Sequence, residues 1–392
     1  MSAADAAFRI ALVPGDGIGP DVVAATRDVL DAARDAVGGF TLTYDAIDAG
    51  AAYFARTGTD ISLDGMTRAG AADAILLGAI GLPGIRHDDG TEISPHLRMR
   101  DAFRLFAGVR PIKAYPNTPR RLADPRAGDI DFVILRESTE GLFFSHGRGE
   151  VSHDEARDTL RITRAICEDL FDFAFRLTRR RKASGAPGLL TCVDKANVFR
   201  SMAFFRAIFD ERAEAFPDIT RAYAYVDAQA LDLVRRPWDA DVLVTENMFG
   251  DILSDLGGGL VGGMGMAPCA EIGLEHGLFQ PAHGSAPDIA GKGIANPTAA
   301  LISGALMLDW LGEKKGHAPT VRAGKAIDRA VWLAFERGTM APREFGGDGT
   351  TRKMAAAVVN ALPEALAAID DEQAPDTPHG TPADAAVAEA TS

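Results

Sequence analysis

Cysteine is scarce in this chain. The three present, Cys167, Cys192 and Cys269, lie far apart, are odd in number and form no C-x-x-C pair. That argues against a disulfide frame and a cysteine-held zinc site, and it fits a reducing cytoplasm. Positive charge is in deficit: 41 lysines and arginines stand against 55 aspartates and glutamates, for a net charge of −14. Nucleic acid and anionic membranes are therefore not expected partners. Apolar runs long enough to span a bilayer are missing as well. Met1 to Ala7 contains Asp5 and has neither a basic leader nor a long apolar core, so no signal peptide is expected. Internal repeats are absent too.

What is there is an ordinary globular composition. The chain has 392 residues, 47% hydrophobic and 24% charged, enough for a large core or two domains. Strand-like and helix-like segments alternate, which predicts an α/β protein. Phe8 to Val13, Ala74 to Leu77, Asp131 to Leu135, Leu189 to Val193 and Asp241 to Thr245 read as short buried strands. Asp21 to Val37 carries helical apolar spacing, and Asn296 to Leu311 and Thr320 to Arg337 read as further helices. Ser152 to Lys182 reads as one long helix, opened by a Ser152/Glu155 capping box and closed by Arg179, Arg180, Arg181 and Lys182. From Asp371 to Ser392 the composition predicts a mobile tail.

The turn Gly15-Asp16-Gly17-Ile18-Gly19-Pro20 follows a strand and precedes a helix. It is not a dinucleotide fingerprint. G-x-G-x-x-G needs glycine where Pro20 stands, and Asp16 would set a negative charge where a pyrophosphate should lie. The segment from His283 to Pro297 is the better cofactor candidate. Its Asp288 could accept hydrogen bonds from a ribose diol and would repel a 2′-phosphate; an ordinary long loop remains the alternative.

The most informative stretch runs from Asn247 to Asp255. Helical spacing would stack the carboxylates of Asp251 and Asp255 on one face. Two stacked carboxylates repel, and a hard divalent cation such as Mg²⁺ or Mn²⁺ relieves that; a solvated acidic face is the plainer alternative. Arginines gather between positions 98 and 136, at Arg98, Arg100, Arg104, Arg110 and Arg136. Such a set suits a substrate with two or more carboxylates, although any single member could be a surface residue. Lys195, just past a strand, could exchange a proton if carboxylates and metal were near.

Together these segments resemble the metal-dependent β-decarboxylating dehydrogenases: the isocitrate, 3-isopropylmalate, homoisocitrate and tartrate/D-malate enzymes. The resemblance spans about residues 8 to 365 and rests on Pro14–Pro20, Leu105–Pro111, Arg136–Gly141, Val193–Val198, Asn247–Asp255 and His283–Asn296. It implies the family's own two-domain α/β fold with a large mixed sheet, not a Rossmann fold. Residues 1–105 and 262–370 would form the cofactor-binding domain, and 106–261 the substrate, metal and dimerisation domain. Arg100, Arg110 and Arg136 would hold substrate carboxylates, with Ser94 beside them. Asp251 and Asp255 would bind Mg²⁺ or Mn²⁺, joined by Asp227 from the other subunit of a homodimer. Lys195, also from that subunit, would act at the 2-hydroxyl or enolate. His283, Gly284, Ser285, Ala286, Asp288 and Asn296 would hold NAD.

The implied reaction is oxidation of a 3-substituted (2R)-malate-type acid followed by loss of CO₂. Two departures bear on it. Where the family carries a proton-donating tyrosine, this chain has Phe143, followed by Phe144. In the substrate loop His96 stands at a position that isopropylmalate enzymes fill with leucine, and Arg98 adds charge. Tartrate or D-malate is therefore expected ahead of 3-isopropylmalate and isocitrate. A non-catalytic regulatory subunit of a hetero-oligomer is the reading from another class.

Overall fold

The structure is a computed structural model that describes residues 6–373. The chain opens with β1 (Ala6–Gly15), α1 (Gly19–Val37), β2 (Phe40–Ala46), α2 (Ala51–Thr57), α3 (Leu63–Gly70), β3 (Ala74–Ala79) and α4 (Pro95–Ala102). It continues through β4 (Ala107–Lys113), β5 (Asp131–Glu137), β6 (Glu150–Val151), β7 (Ala156–Arg157), α5 (Arg164–Ala183), β8 (Leu189–Asp194), α6 (Arg200–Ala213), β9 (Thr220–Tyr225), α7 (Val226–Arg235), β10 (Val242–Thr245) and α8 (Asn247–Leu260). It closes with β11 (Pro268–Ile272), β12 (Gly277–Pro281), α9 (Thr298–Lys315), α10 (Ala318–Glu336) and α11 (Thr351–Gln373).

Ten strands form one sheet in the order β2-β1-β3-β12-β11-β4-β5-β10-β8-β9. The two flanks are parallel. The middle is antiparallel, where β11 pairs with β12 and β4, and β4 pairs with β5. A doubly wound Rossmann sheet is parallel throughout and has a different strand order, so the mixed α/β expectation holds. β3 is buried along its whole length, and its near-continuous apolar run follows from being covered on both faces. The sheet passes without a break from the strands of 1–105 and 262–370 to those of 106–261.

The long helix expected over 152–182 begins only at Arg164. Ser152 and Glu155 instead close the β6–β7 hairpin, where Ser152 Oγ accepts from the Glu155 N–H at 3.1 Å. The same S-x-x-E spacing satisfies a turn as well as a helix start, because both need a side-chain acceptor for a free N–H. Asn296, read as the first residue of a helix, precedes one, its Oδ1 accepting from the Thr298 N–H at 3.1 Å. Asp371 to Gln373 complete α11, and the rest of the expected tail lies outside the described residues. Among the described residues no helix is long and apolar enough to cross a membrane.

Candidate active site

Three neighbouring strands and two helices build the site. β11, β4 and β5 lie side by side, with Gly108 opposite both Glu271 and Arg136. Directly opposed residues share a face of the sheet, as does Arg110, two places beyond Gly108. Glu271, Arg110 and Arg136 therefore converge on one face. Gly108 is what makes room: a Cβ there would meet Ser138 Oγ at 2.6 Å and Glu271 Oε2 at 3.0 Å. Arg100 reaches the same point from α4. Of the five arginines singled out in the sequence, the structure brings Arg100, Arg110 and Arg136 together, and all three are buried. Arg98 is exposed and pairs with Asp60, while Arg104 points elsewhere, 3.9 Å from Asp169.

Glu271 was not legible as a site residue. Its Oε1 lies 2.7 Å from Arg100 and 2.8 Å from Arg110. Burial would push this carboxyl up, but the Arg100 and Arg110 guanidiniums, with Arg136, outweigh it and hold the group down to about 2. Burial, then Arg100 and Arg110, lowers Arg136 to about 10, so it stays charged near neutrality. Burial, then Arg100, lowers His96 to about 3, which leaves its ring neutral. Among the described residues, Arg100 Nε, Arg110 Nε, His96 Nδ1 and Glu271 Oε2 are buried without a hydrogen-bond partner. The orphaned Nε donors of Arg100 and Arg110 describe a site that an anion would complete. A cleft of about 480 Å³ opens over it, lined by Ser94, Arg98, Arg100, Ser138, Phe143 and His146 among others.

The acidic pair sits on α8, as the spacing required. β10 runs parallel to β5 and delivers α8 beside Arg136. Arg136 Nε donates to Asn247 Oδ1 at 2.9 Å, and its NH1 pairs with Asp251, one helical turn on. The Asp255 carboxyl is raised by desolvation and by Asp251, the electrostatic mark of two carboxylates sharing a face. That all-oxygen donor set fits a hard divalent cation. Among the described residues no three His, Cys, Asp or Glu side chains group closely enough to hold a metal. Within this chain Asp227 does not join the pair. It stands at the start of α7, ion-paired with Lys195 just past β8, and neither lines the cleft.

Phe143 and Phe144 are part of the site wall. The Arg136 guanidinium lies 4.8 Å from the Phe143 ring centre, and that of Arg161 lies 3.7 Å from Phe144. The place expected for a phenol is thus occupied by a ring that can meet a cation but cannot give a proton. Ser145 Oγ is occupied too, bonded to both the N–H and the C=O of Thr159, and His146 is exposed at the cleft.

The candidate cofactor loop follows β12 and folds onto the first glycine turn. The Ile18 N–H donates to Ser285 O at 2.8 Å, and a Cβ on Gly17 would collide with that oxygen. Asp16, which looked ill placed for phosphate, instead ties neighbouring backbone together. Its carboxylate accepts from the N–H groups of Ala51, Ala52 and Gly81. Ala286 takes the left-handed conformation at φ 38°, Gly284 and Asp288 are exposed, and burial lowers His283. The Asn296 amide donates to Glu344 at 2.6 Å, so both ends of that side chain are engaged.

The sequence and fold resemble those of known proteins. The family model described as isocitrate/isopropylmalate dehydrogenase matches residues 9–358. The 3-isopropylmalate/3-methylmalate dehydrogenase of Methanocaldococcus jannaschii is 40% identical over 357 residues, covering 91% of this chain and 99% of that protein. The isocitrate/homoisocitrate dehydrogenase of Thermus thermophilus is 40% identical with the same coverage. The crystal structure of isocitrate dehydrogenase from Methylococcus capsulatus superposes with a TM-score of 0.77 at 35% identity, over 91% of this chain and 99% of that one. The chain belongs to the isocitrate/isopropylmalate dehydrogenase family and is a decarboxylating dehydrogenase of that type.

Proposed function

We propose that this protein carries out NAD- and Mg²⁺- or Mn²⁺-dependent oxidative decarboxylation of a 3-substituted (2R)-malate-type acid. The observation that carries the reading is the convergence of buried Arg100, Arg110 and Arg136 beside the stacked carboxylates of Asp251 and Asp255. The arginines bind and orient the substrate's carboxylates, with Ser94 at the cleft wall. When bound, the cation supplies Lewis-acid polarisation of the C2 oxygen and NAD⁺ accepts the hydride from C2. Lys195 Nζ, in its amine form, takes the 2-hydroxyl proton. The bond from C3 to its carboxylate then breaks, CO₂ leaves, and its electron pair forms the enolate. A proton delivered to C3 completes the 2-oxo acid.

Lys195 and Asp227 come to this site from a second copy of the chain. Within one chain the two pair with each other and, among the described residues, no third acid joins Asp251 and Asp255, and the packed pair α7 and α8 leaves Leu231, Val234 and Ile252 exposed; both support that. Asp227 then completes the metal ligands. The loop from His283 to Asn296 holds the adenosine half of the cofactor, and exposed Asp288 favours NAD over NADP by repelling a 2′-phosphate. The three buried, unpaired cysteines support a reducing cytoplasm. His96, standing where isopropylmalate enzymes tend to carry a leucine, supports a polar or small group at C3, hence tartrate or D-malate ahead of 3-isopropylmalate and isocitrate.

NAD⁺ reduction by the purified protein with Mn²⁺, tried on D-malate, the tartrates, 3-isopropylmalate and isocitrate, tests this reading. Turnover of one acid supports it; silence across all four by folded protein sinks it. Phe143 favours the second reading, a ligand-binding regulatory subunit, because no phenol is there to protonate C3. The two separate at one residue. On the catalytic reading, Phe143→Tyr shifts products from released enol towards the final 2-oxo acid, read by product chromatography. An inert variant whose wild type also shows no turnover favours the regulatory subunit.

A further inference from the structure

The arginine cluster is not free. One of its counter-charges comes from the protein itself, on a strand reached only after 161 residues of chain from Arg110. Glu271 is fully buried, does not line the cleft, and bonds one oxygen to both Arg100 and Arg110. Its geometry is held from three sides. Cys269 Sγ donates to the same oxygen at 3.3 Å, Gly108 leaves the space a side chain would fill, and β11 fixes the backbone against β4. Glu271 takes up charge of Arg100 and Arg110 while Arg136 pairs with Asp251, so Glu271 lowers the positive charge that the Arg100–Arg110 side of the cluster offers a ligand.

We propose that Glu271 sets the charge that this site accepts: it supplies from within the carboxylate that a third acid group of a ligand would bring. The site therefore takes dicarboxylic 2-hydroxy acids and discriminates against tricarboxylic ones. Glu271 acts through Arg100 and Arg110, so it is a positioning residue that also fixes specificity. The inference rests on reading the cleft as the hydroxy-acid site. A merely structural counter-ion would hold the guanidiniums in place for every ligand alike. A charge-setting one disfavours an added carboxylate selectively, because a buried negative charge several ångströms from a ligand's third acid is weakly screened.

Calorimetric binding of D-malate and of isocitrate, with Mn²⁺ present, separates the possibilities. Wild-type protein should prefer the dicarboxylate, and Glu271→Gln should shift the ratio of the two dissociation constants towards isocitrate by about tenfold or more. Equal changes for both acids, with the ratio unmoved, would overturn the proposal and leave Glu271 a structural counter-ion. Should Glu271→Gln fail to fold, wild-type protein decides alone. It should bind an isocitrate analogue whose carboxymethyl acid is an amide more tightly than isocitrate, and the reverse order overturns the proposal. If wild-type protein binds none of these acids, the reading of the cleft falls and this inference falls with it.

Discussion

Mixing two inactive variants, Lys195→Met and Asp251→Asn, should restore activity. On the proposed dimer, each site draws its cation ligands Asp251 and Asp255 from one copy and Lys195 from the other. Either variant alone disables both sites, by removing the proton carrier or by halving the charge of the acidic pair. In a mixed dimer the two lesions fall in the same site and leave the second intact. Random reassociation of equal amounts makes half the dimers mixed, with one of two sites working, so about one quarter of wild-type activity should return. The pairing within one chain motivates this: Lys195 is engaged with Asp227 at the start of α7, and among the described residues no third acid joins Asp251 and Asp255. The measurement is NADH production after joint refolding of the two purified variants. No recovery, with dimers demonstrably exchanged, would mean each site is built from one chain.

The second large effect is at Arg136. This side chain joins the two halves of the site: it bonds Asn247, pairs with Asp251 and lies over Phe143. Being buried, its guanidinium has lost water and depends on those partners. Arg136→Met removes a substrate anchor and leaves Arg100 and Arg110 to bind alone. Losing one partner of a buried, hydrogen-bonded charge pair costs about 2–5 kcal/mol, so kcat/KM should fall by roughly thirtyfold to a few thousandfold. Arg136→Lys should recover part of the loss, since it restores charge but not the planar fork. Steady-state kinetics on the two variants check this, and a loss below fivefold for Arg136→Met would remove Arg136 from the site.

Much of this was legible in the sequence because it depends on local spacing. Asp251 and Asp255 share a helix face whatever the rest of the chain does. Arg100, Arg110 and Arg136 stand in segments with a family resemblance, and the structure brings the three together. Glu271 was not legible, because nothing near it in the chain marks it. It is one charged residue in the short apolar strand from Pro268 to Ile272, and only the order of strands sets it against Arg110. A lone acid in such a strand is the signal that could have raised it, since a fully buried carboxylate needs a cation. The false helix start at Ser152 has the opposite cause: a local pattern fitted two structures, and pairing of β6 with β7 decided between them. Lys195 and Asp227 were read from resemblance, and one chain shows only that they meet each other.

The most direct test of the whole account is the ratio of CO₂ released to NADH formed by the purified protein with its best acid, with Mn²⁺ and then with excess EDTA. Oxidative decarboxylation at this site predicts one CO₂ per NADH with Mn²⁺ and loss of both with EDTA. NADH without CO₂, or turnover that EDTA leaves untouched, would contradict it.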